Sequence, residues 1–217
     1  MNNDKIESRY AILSESTCCL SCGSAIDLSK AKSGEVCIDL GSGRGTDVLR
    51  MAGIVGDNGF VYGIDLTEAM IKKSIQTAQK MGIENVKFIH GKLEEIPLED
   101  GIADLIISNC TLNHSDNKEK VWKEIFRLLK PGGRFIISDI YSSEEVPEIY
   151  SKDPLAVAEC WAGAITKEKY INIINNTGFI NFDILEDSKP YDKGKIKVSS
   201  FTFSGSKKAV TNCCCCK

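Results

Sequence analysis

A short apolar run that ends in glycines constrains this chain more than any other feature. Val36-Cys37-Ile38-Asp39-Leu40 leads straight into Gly41-Ser42-Gly43-Arg44-Gly45, and TDVLRMAGIV (46–55) then carries helical spacing. Strand, glycine turn and helix in that order open a βαβ unit, and parallel strands joined by helices need both sheet faces covered. The alternation continues. GDNG (56–59) turns the chain into a second strand, FVYGI (60–64), and residues 67–81 form an amphipathic helix with Ala69, Ile71, Ile75 and Ala78 on its buried side. VKFIH (86–90) and ADLIIS (103–108) are the third and fourth strands. VWKEIFRLL (121–129) is a helix stopped by the turn Lys130-Pro131-Gly132-Gly133, and RFIIS (134–138) is the fifth strand. FDILE (182–186) and KVSSFTFSG (197–205) have no helix between them and read as an antiparallel pair completing the sheet. The expected fold is α/β: a doubly wound, mostly parallel sheet with an antiparallel C-terminal strand pair.

Around that core the chain divides into four stretches. Residues 1–33 are a polar leader holding Cys18, Cys19 and Cys22, and residues 34–140 carry the strand–helix alternation. Residues 141–210 add a connection, a helix beginning near Thr166 and the last strands, and residues 211–217 are a cysteine-rich tail. A balance of 27 basic against 30 acidic residues argues against nucleic acid as a partner. No apolar run reaches the roughly 18 residues of a membrane span, and MNNDKIESRY is too polar for a signal peptide. A monomeric cytoplasmic protein with a small-molecule partner is the expectation.

Ten cysteines in 217 residues then need an explanation. The chain is too long for a disulfide-stapled mini-protein, and a reducing compartment leaves thiols for metal binding, catalysis or packing. In an open parallel sheet the carboxyl ends of the strands face the ligand crevice. Cys110, just beyond strand four, therefore sits at the rim, although a lone strand-end cysteine is more often a small buried hydrophobe. Cys160, in Glu159-Cys160-Trp161-Ala162-Gly163-Ala164, belongs to the connection that leaves strand five at the same edge, and Cys22 is on the leader that can fold over it.

The glycine turn is a weak nucleotide signal alone, because any tight strand-to-helix turn uses glycine. Gly63-Ile64-Asp65 strengthens it by placing a carboxylate at the end of strand two, where it can accept both hydroxyls of an adenosine ribose. DLGSGRG, the aspartate of GIDLT and LLKPGGRF together resemble the motifs of class I S-adenosylmethionine-dependent methyltransferases, with a Rossmann-like sheet, over residues 34–140. An NAD-type loop would prefer glycine where Thr46 stands. Carried over, the resemblance puts Gly41 and Gly43 along the methionine portion of the cofactor, with Asp39 beneath the loop and Ser42 within it. It gives Asp65 the ribose, Leu66 and Met70 the adenine face, and Leu93 and Glu94 the adenine edge. Asn109, at the end of strand four, completes the cofactor set.

SNCTLN, ECWAGA and CLSCGS extend the likeness to residues 18–165 and make it narrower, for in combination they resemble the arsenite methyltransferase family. That resemblance implies that Cys22, Cys110 and Cys160 bind trivalent arsenic, that S-adenosylmethionine supplies the methyl group, and that a thiol reductant such as glutathione or thioredoxin takes part. The chemistry is coherent: soft As(III) prefers thiolates, and three sulfurs leave a pyramidal centre with its lone pair exposed to an incoming methyl. Positioning then replaces acid–base catalysis, and His90 and His114 read as structural or surface residues. The alternatives are a methyltransferase for an organic O, N or C acceptor, half a zinc site at Cys19-x-x-Cys22, and a metalloid-sequestering protein on a degenerate scaffold.

Overall fold

The computed structural model describes residues 2–14 and 23–210. Five strands form its parallel half: β1 (Val36–Leu40), β2 (Phe60–Asp65), β3 (Val86–His90), β4 (Ala103–Asn109) and β5 (Leu129–Ser142). Three more, β6 (Ile180–Asp187), β7 (Tyr191–Lys193) and β8 (Ile196–Ser206), run antiparallel to their neighbours. The strand order is β3-β2-β1-β4-β5-β8-β6, with β7 paired to β8. The helices are α1 (Asn2–Ser14), α2 (Ala25–Leu28), α3 (Thr46–Val55), α4 (Glu68–Met81), α5 (Lys118–Leu128), α6 (Glu148–Ser151), α7 (Pro154–Ala158) and α8 (Lys167–Thr177).

Strand period 2 divides the interior into two layers. Ile38, Leu40, Ile64, Ile106, Phe135 and Ile137 face α5 and α8, where Trp122 packs edge-on against Phe135 (5.0 Å between ring centroids) and Phe179 (5.7 Å). Cys37, Val61, Leu105, Ile107 and Ile136 face α2 and α3. Cys37 is fully buried among them, its thiol pushed up to about 12 by burial, and serves as packing.

Several sequence expectations shift. The helix predicted at 121–129 starts earlier, because the Asn117 side chain accepts from Lys120 N (2.9 Å) and caps it at Lys118. Lys130-Pro131-Gly132-Gly133 is no open turn: Gly132 N donates to Lys207 O and Lys207 N to Gly133 O, both at 2.9 Å. β5 runs past Ser138 to Ser142, and so through the boundary set at residue 140, because β8 pairs with it as far as Ser142–Val198. The buried side of α4 is Met70, Ile71, Ser74 and Ala78, while Ile75 is 39% exposed. Gly45 packs against Ser74 and Phe88 so closely that a Cβ there would strike both, and its φ of +80° also favours glycine. Three elements lie where the sequence reading set none: the leader contributes α1 and α2, and β7 makes a hairpin with β8 through Gly194 (φ +63°).

Candidate active site

The strand order reverses between β1 and β4, and loops from their carboxyl ends diverge to opposite sides of the sheet, leaving a crevice. Ser108 Oγ donates to Leu40 O (2.8 Å) across this point. Asp39, Gly41, Ser42, Gly43, Asp65, Leu66, Met70, Leu93, Glu94 and Asn109 all line one cavity there, of about 190 Å³, and Cys110 lies on its wall.

The glycine turn is tied to β2. Gly41 N and Ser42 N donate to Ile64 O (2.8 and 2.9 Å), and Asp65 accepts from Gly43 N through Oδ2 and from Thr67 N through Oδ1, each at 2.8 Å. A Cβ at Gly41 would run into the Thr111 side chain, and φ of +75° excludes most side chains there as well. Burial raises the Asp65 carboxyl despite its two N–H donors. Asp39 is 3% exposed and accepts no hydrogen bond from a described residue. Burial, and then the nearby Asp47 and Asp65, hold its carboxyl well above the usual carboxylate range. Asn109 is a tie: Nδ2 donates to Asp47 (2.9 Å) and Oδ1 accepts from Ala25 N (3.3 Å). Glu94 accepts from Ser115 Oγ, and His90 Nε2 donates to Leu66 O (2.6 Å).

The thiols are held by unusual backbone. Among the described residues four non-glycine positions have positive φ, and two of them are Cys110 (+53°) and Cys160 (+71°). Such conformations cost about 1–3 kcal/mol each and persist only where the surroundings enforce them. At Cys110 the enforcement is N–H donation to Ser138 O (2.8 Å). Cys160 Sγ donates to Cys110 O (2.9 Å) and lies 3.0 Å from His114 Nε2. Tyr10, from α1, reaches the same nitrogen at 3.0 Å, with its ring edge-on to the imidazole. His114 Nδ1 faces Val157 O at 3.1 Å, so this nitrogen carries the proton and Nε2 the lone pair. Burial, reinforced by Lys118, Arg9 and Lys193, drives the imidazole down to about 4 and keeps it neutral. Asn113 anchors the turn beside them: it is fully buried, and Nδ2 donates to Asp139 Oδ1 (2.9 Å) and Ile140 O (2.7 Å). A Cβ at Gly163 would strike the Asn113 carbonyl, so the Cys160 turn packs directly on the Cys110 turn.

Cys110 lines the cavity; Cys160 does not, but its Sγ meets the Cys110 carbonyl and the cavity-lining His114, whereas Cys22 lies outside the described residues, as do Cys18, Cys19 and the tail. The neighbour of Cys22, Gly23, packs against Asn109 and Ser138 so closely that no Cβ would fit. Among the described residues no three His, Cys, Asp or Glu side chains gather as a metal site. Tyr10, Asn113 and Asp139 were not singled out in the sequence, and His114, read there as structural or surface, stands against a thiol.

Comparison with known proteins narrows the assignment. Residues 31–178 match the family model described as a methyltransferase domain. The chain is 36% identical to an arsenite methyltransferase of Halobacterium salinarum over 160 residues, 74% of this chain and 41% of that protein. It is 35% identical to one from Aquipseudomonas alcaligenes over 157 residues, 69% and 45%. The solved structure of an arsenic(III) S-adenosylmethionine methyltransferase from Chlamydomonas reinhardtii superposes with a TM-score of 0.77 at 30% identity, covering 94% of this chain and 74% of that one. The chain belongs to the arsenite methyltransferase family. It spans less than half the length of the curated family members it matches.

Proposed function

We propose that this protein transfers the methyl group of S-adenosylmethionine to trivalent arsenic held by Cys110, Cys160 and Cys22. The observation that carries the reading is the junction of Cys160 Sγ with Cys110 O at 2.9 Å, at the end of a cavity whose other wall is the glycine turn and Asp65.

The cavity suits the donor in three respects. Each Asp65 oxygen accepts one backbone N–H and keeps a lone pair for a ribose hydroxyl. Ser42 Oγ is buried with no hydrogen-bond partner among the described residues, and so is open to a ligand group. Three carboxyls, Asp39, Asp47 and Asp65, crowd one wall, and Asp39 in particular gains from a cationic ligand. The donor supplies an electrophilic methyl on a sulfonium. The chain's own residues hold the arsenic, aim its lone pair and exclude water, with reacting atoms brought to about 3–3.5 Å. Glutathione or thioredoxin supplies reducing thiols, and a reducing compartment such as the cytoplasm keeps the cysteines available.

Incubation with arsenite, thiol and S-adenosylmethionine should yield methylarsenicals by mass-resolved chromatography. Methylarsenite retains two exchangeable ligands against three for arsenite. Cys22→Ser should therefore abolish turnover of arsenite yet spare part of the turnover of methylarsenite. Equal loss on both substrates would remove Cys22 from the proposed tripod.

A further inference from the structure

His114 has no part in the mechanism above, yet its Nε2 is shared by two donors. With Nδ1–H given to Val157 O, Nε2 offers a single lone pair, and both the Tyr10 hydroxyl and Cys160 Sγ stand 3.0 Å from it. The thiol has a second acceptor, Cys110 O at 2.9 Å. One arrangement satisfies every group: Cys160 donates to Cys110 O, and Tyr10 donates to Nε2. In the other, the thiol turns its proton to Nε2, and Tyr10 is free to point its own into the cavity, which it and His114 both line. The two arrangements differ by small rotations of one S–H and one O–H, with no backbone movement.

We propose that His114 and Tyr10 form a proton relay between the Cys160 thiol and the cavity, which speeds exchange of the metalloid onto and off that sulfur. The inference rests on the arsenic reading. Capture of an As–OH species by a thiol forms As–S, breaks As–O and releases water; no oxidation state changes. The thiol proton has to reach the departing hydroxide, and Sγ stands 3.0 Å from the imidazole while Cys160 itself does not line the cavity. It passes from Sγ to Nε2, from Nε2 to the Tyr10 oxygen, while the proton of Tyr10 goes to the hydroxide. Afterwards His114 and Tyr10 are neutral as before. Release runs the same steps backwards, with water giving its proton to Tyr10. Because Tyr10 comes from α1, the relay is complete only while that helix covers the cavity.

A relay changes rates in both directions and leaves the equilibrium untouched, which separates it from a purely structural role. The test uses the 217-residue chain with Cys213 to Cys216 changed to serine, so that tail thiols do not compete. Phenylarsine oxide is the probe, and fluorescence of Trp161, next to Cys160, reports capture and release in stopped flow. His114→Leu and Tyr10→Phe should each slow association and dissociation alike, at least tenfold, with Kd unchanged. The double variant should be no slower than either single one. His114→Gln keeps an acceptor near the thiol but takes up no proton, so it should melt like the parent and remain slow. Parent-like rates in His114→Gln or Tyr10→Phe would overturn the relay, as would slowing that appears wholly as a change in Kd. If the parent protein itself forms no adduct with the probe, the arsenic reading falls and the relay with it.

Discussion

The Asp65 carboxylate ties the glycine turn to β2 with one oxygen and the start of α4 with the other. Removing it costs the turn an anchor and, in the proposed donor site, takes two charge-assisted acceptors from the ribose. Asp65→Ala should weaken binding of S-adenosylhomocysteine by about 1.5–3 kcal/mol, or ten- to a hundredfold. Calorimetric titration reads this directly, and an unchanged affinity would take the ribose away from Asp65. Asp139 makes a pH prediction. It is buried beneath the thiol turns, accepts from Asn113, Ile140 N and Tyr170, and its carboxyl is pushed up to about 6 by burial. A raised folded-state value means the native state binds the proton more tightly than the unfolded chain. The stability this contributes is full below about pH 4 and is lost as pH rises toward 6. Asp139→Asn, which imitates the protonated acid, should gain on the parent protein between pH 4 and pH 7 in urea melts, by at most about 3 kcal/mol. A stability difference that does not move with pH would contradict this. The positions that were legible in the sequence, from Asp39 to Asn109, lie in or beside motifs at strand ends, where topology alone fixes their direction. Tyr10, His114 and Cys160 meet across 104 and 46 residues, and no local pattern announces such a meeting.

At the scale of elements, propensity and period located the sheet, and tertiary contacts moved its boundaries. α5 begins where Asn117 caps it, three residues before its first buried apolar residue, Val121. β5 ends where β8 stops pairing with it. α1 was illegible for a different reason. It has little amphipathic character, and Ile6 is its one buried hydrophobic residue. It is held by α4 and α7 and by the Tyr10–His114 contact, while the Arg9–Glu159 pair is too exposed to add much. A helix so lightly held belongs to the low-stability part of the molecule. Ile6→Ala should raise amide exchange over residues 2–14 while leaving β1, β4 and β5 protected. In the parent protein, S-adenosylhomocysteine should slow exchange in the same stretch, because Asn3, Ile6 and Tyr10 line the cavity. Exchange indifferent to both would mean that α1 does not close over the site.

The whole molecule divides its labour along the sheet. The loops after β1 and β2 carry the wall proposed for the methyl donor, those after β4 and β5 carry Cys110 and Cys160, and the reversal in strand order brings the two together at one edge. The antiparallel half supports the Cys160 turn: β8 runs against β5 along Arg134 to Ser142, and Gly194, at the β7–β8 turn, packs on the Trp161 ring beside Cys160. Methylation of arsenic on the Cys110–Cys160 pair is the central claim, and turnover of arsenite by serine variants tests it most directly. Cys110→Ser and Cys160→Ser should each lose methylarsenical formation from both arsenite and methylarsenite while still binding S-adenosylhomocysteine. Cys37→Ser, at a buried packing position, serves as the control and should retain turnover to the extent that it folds. Methylarsenical formation by Cys110→Ser at the parent rate would contradict the account.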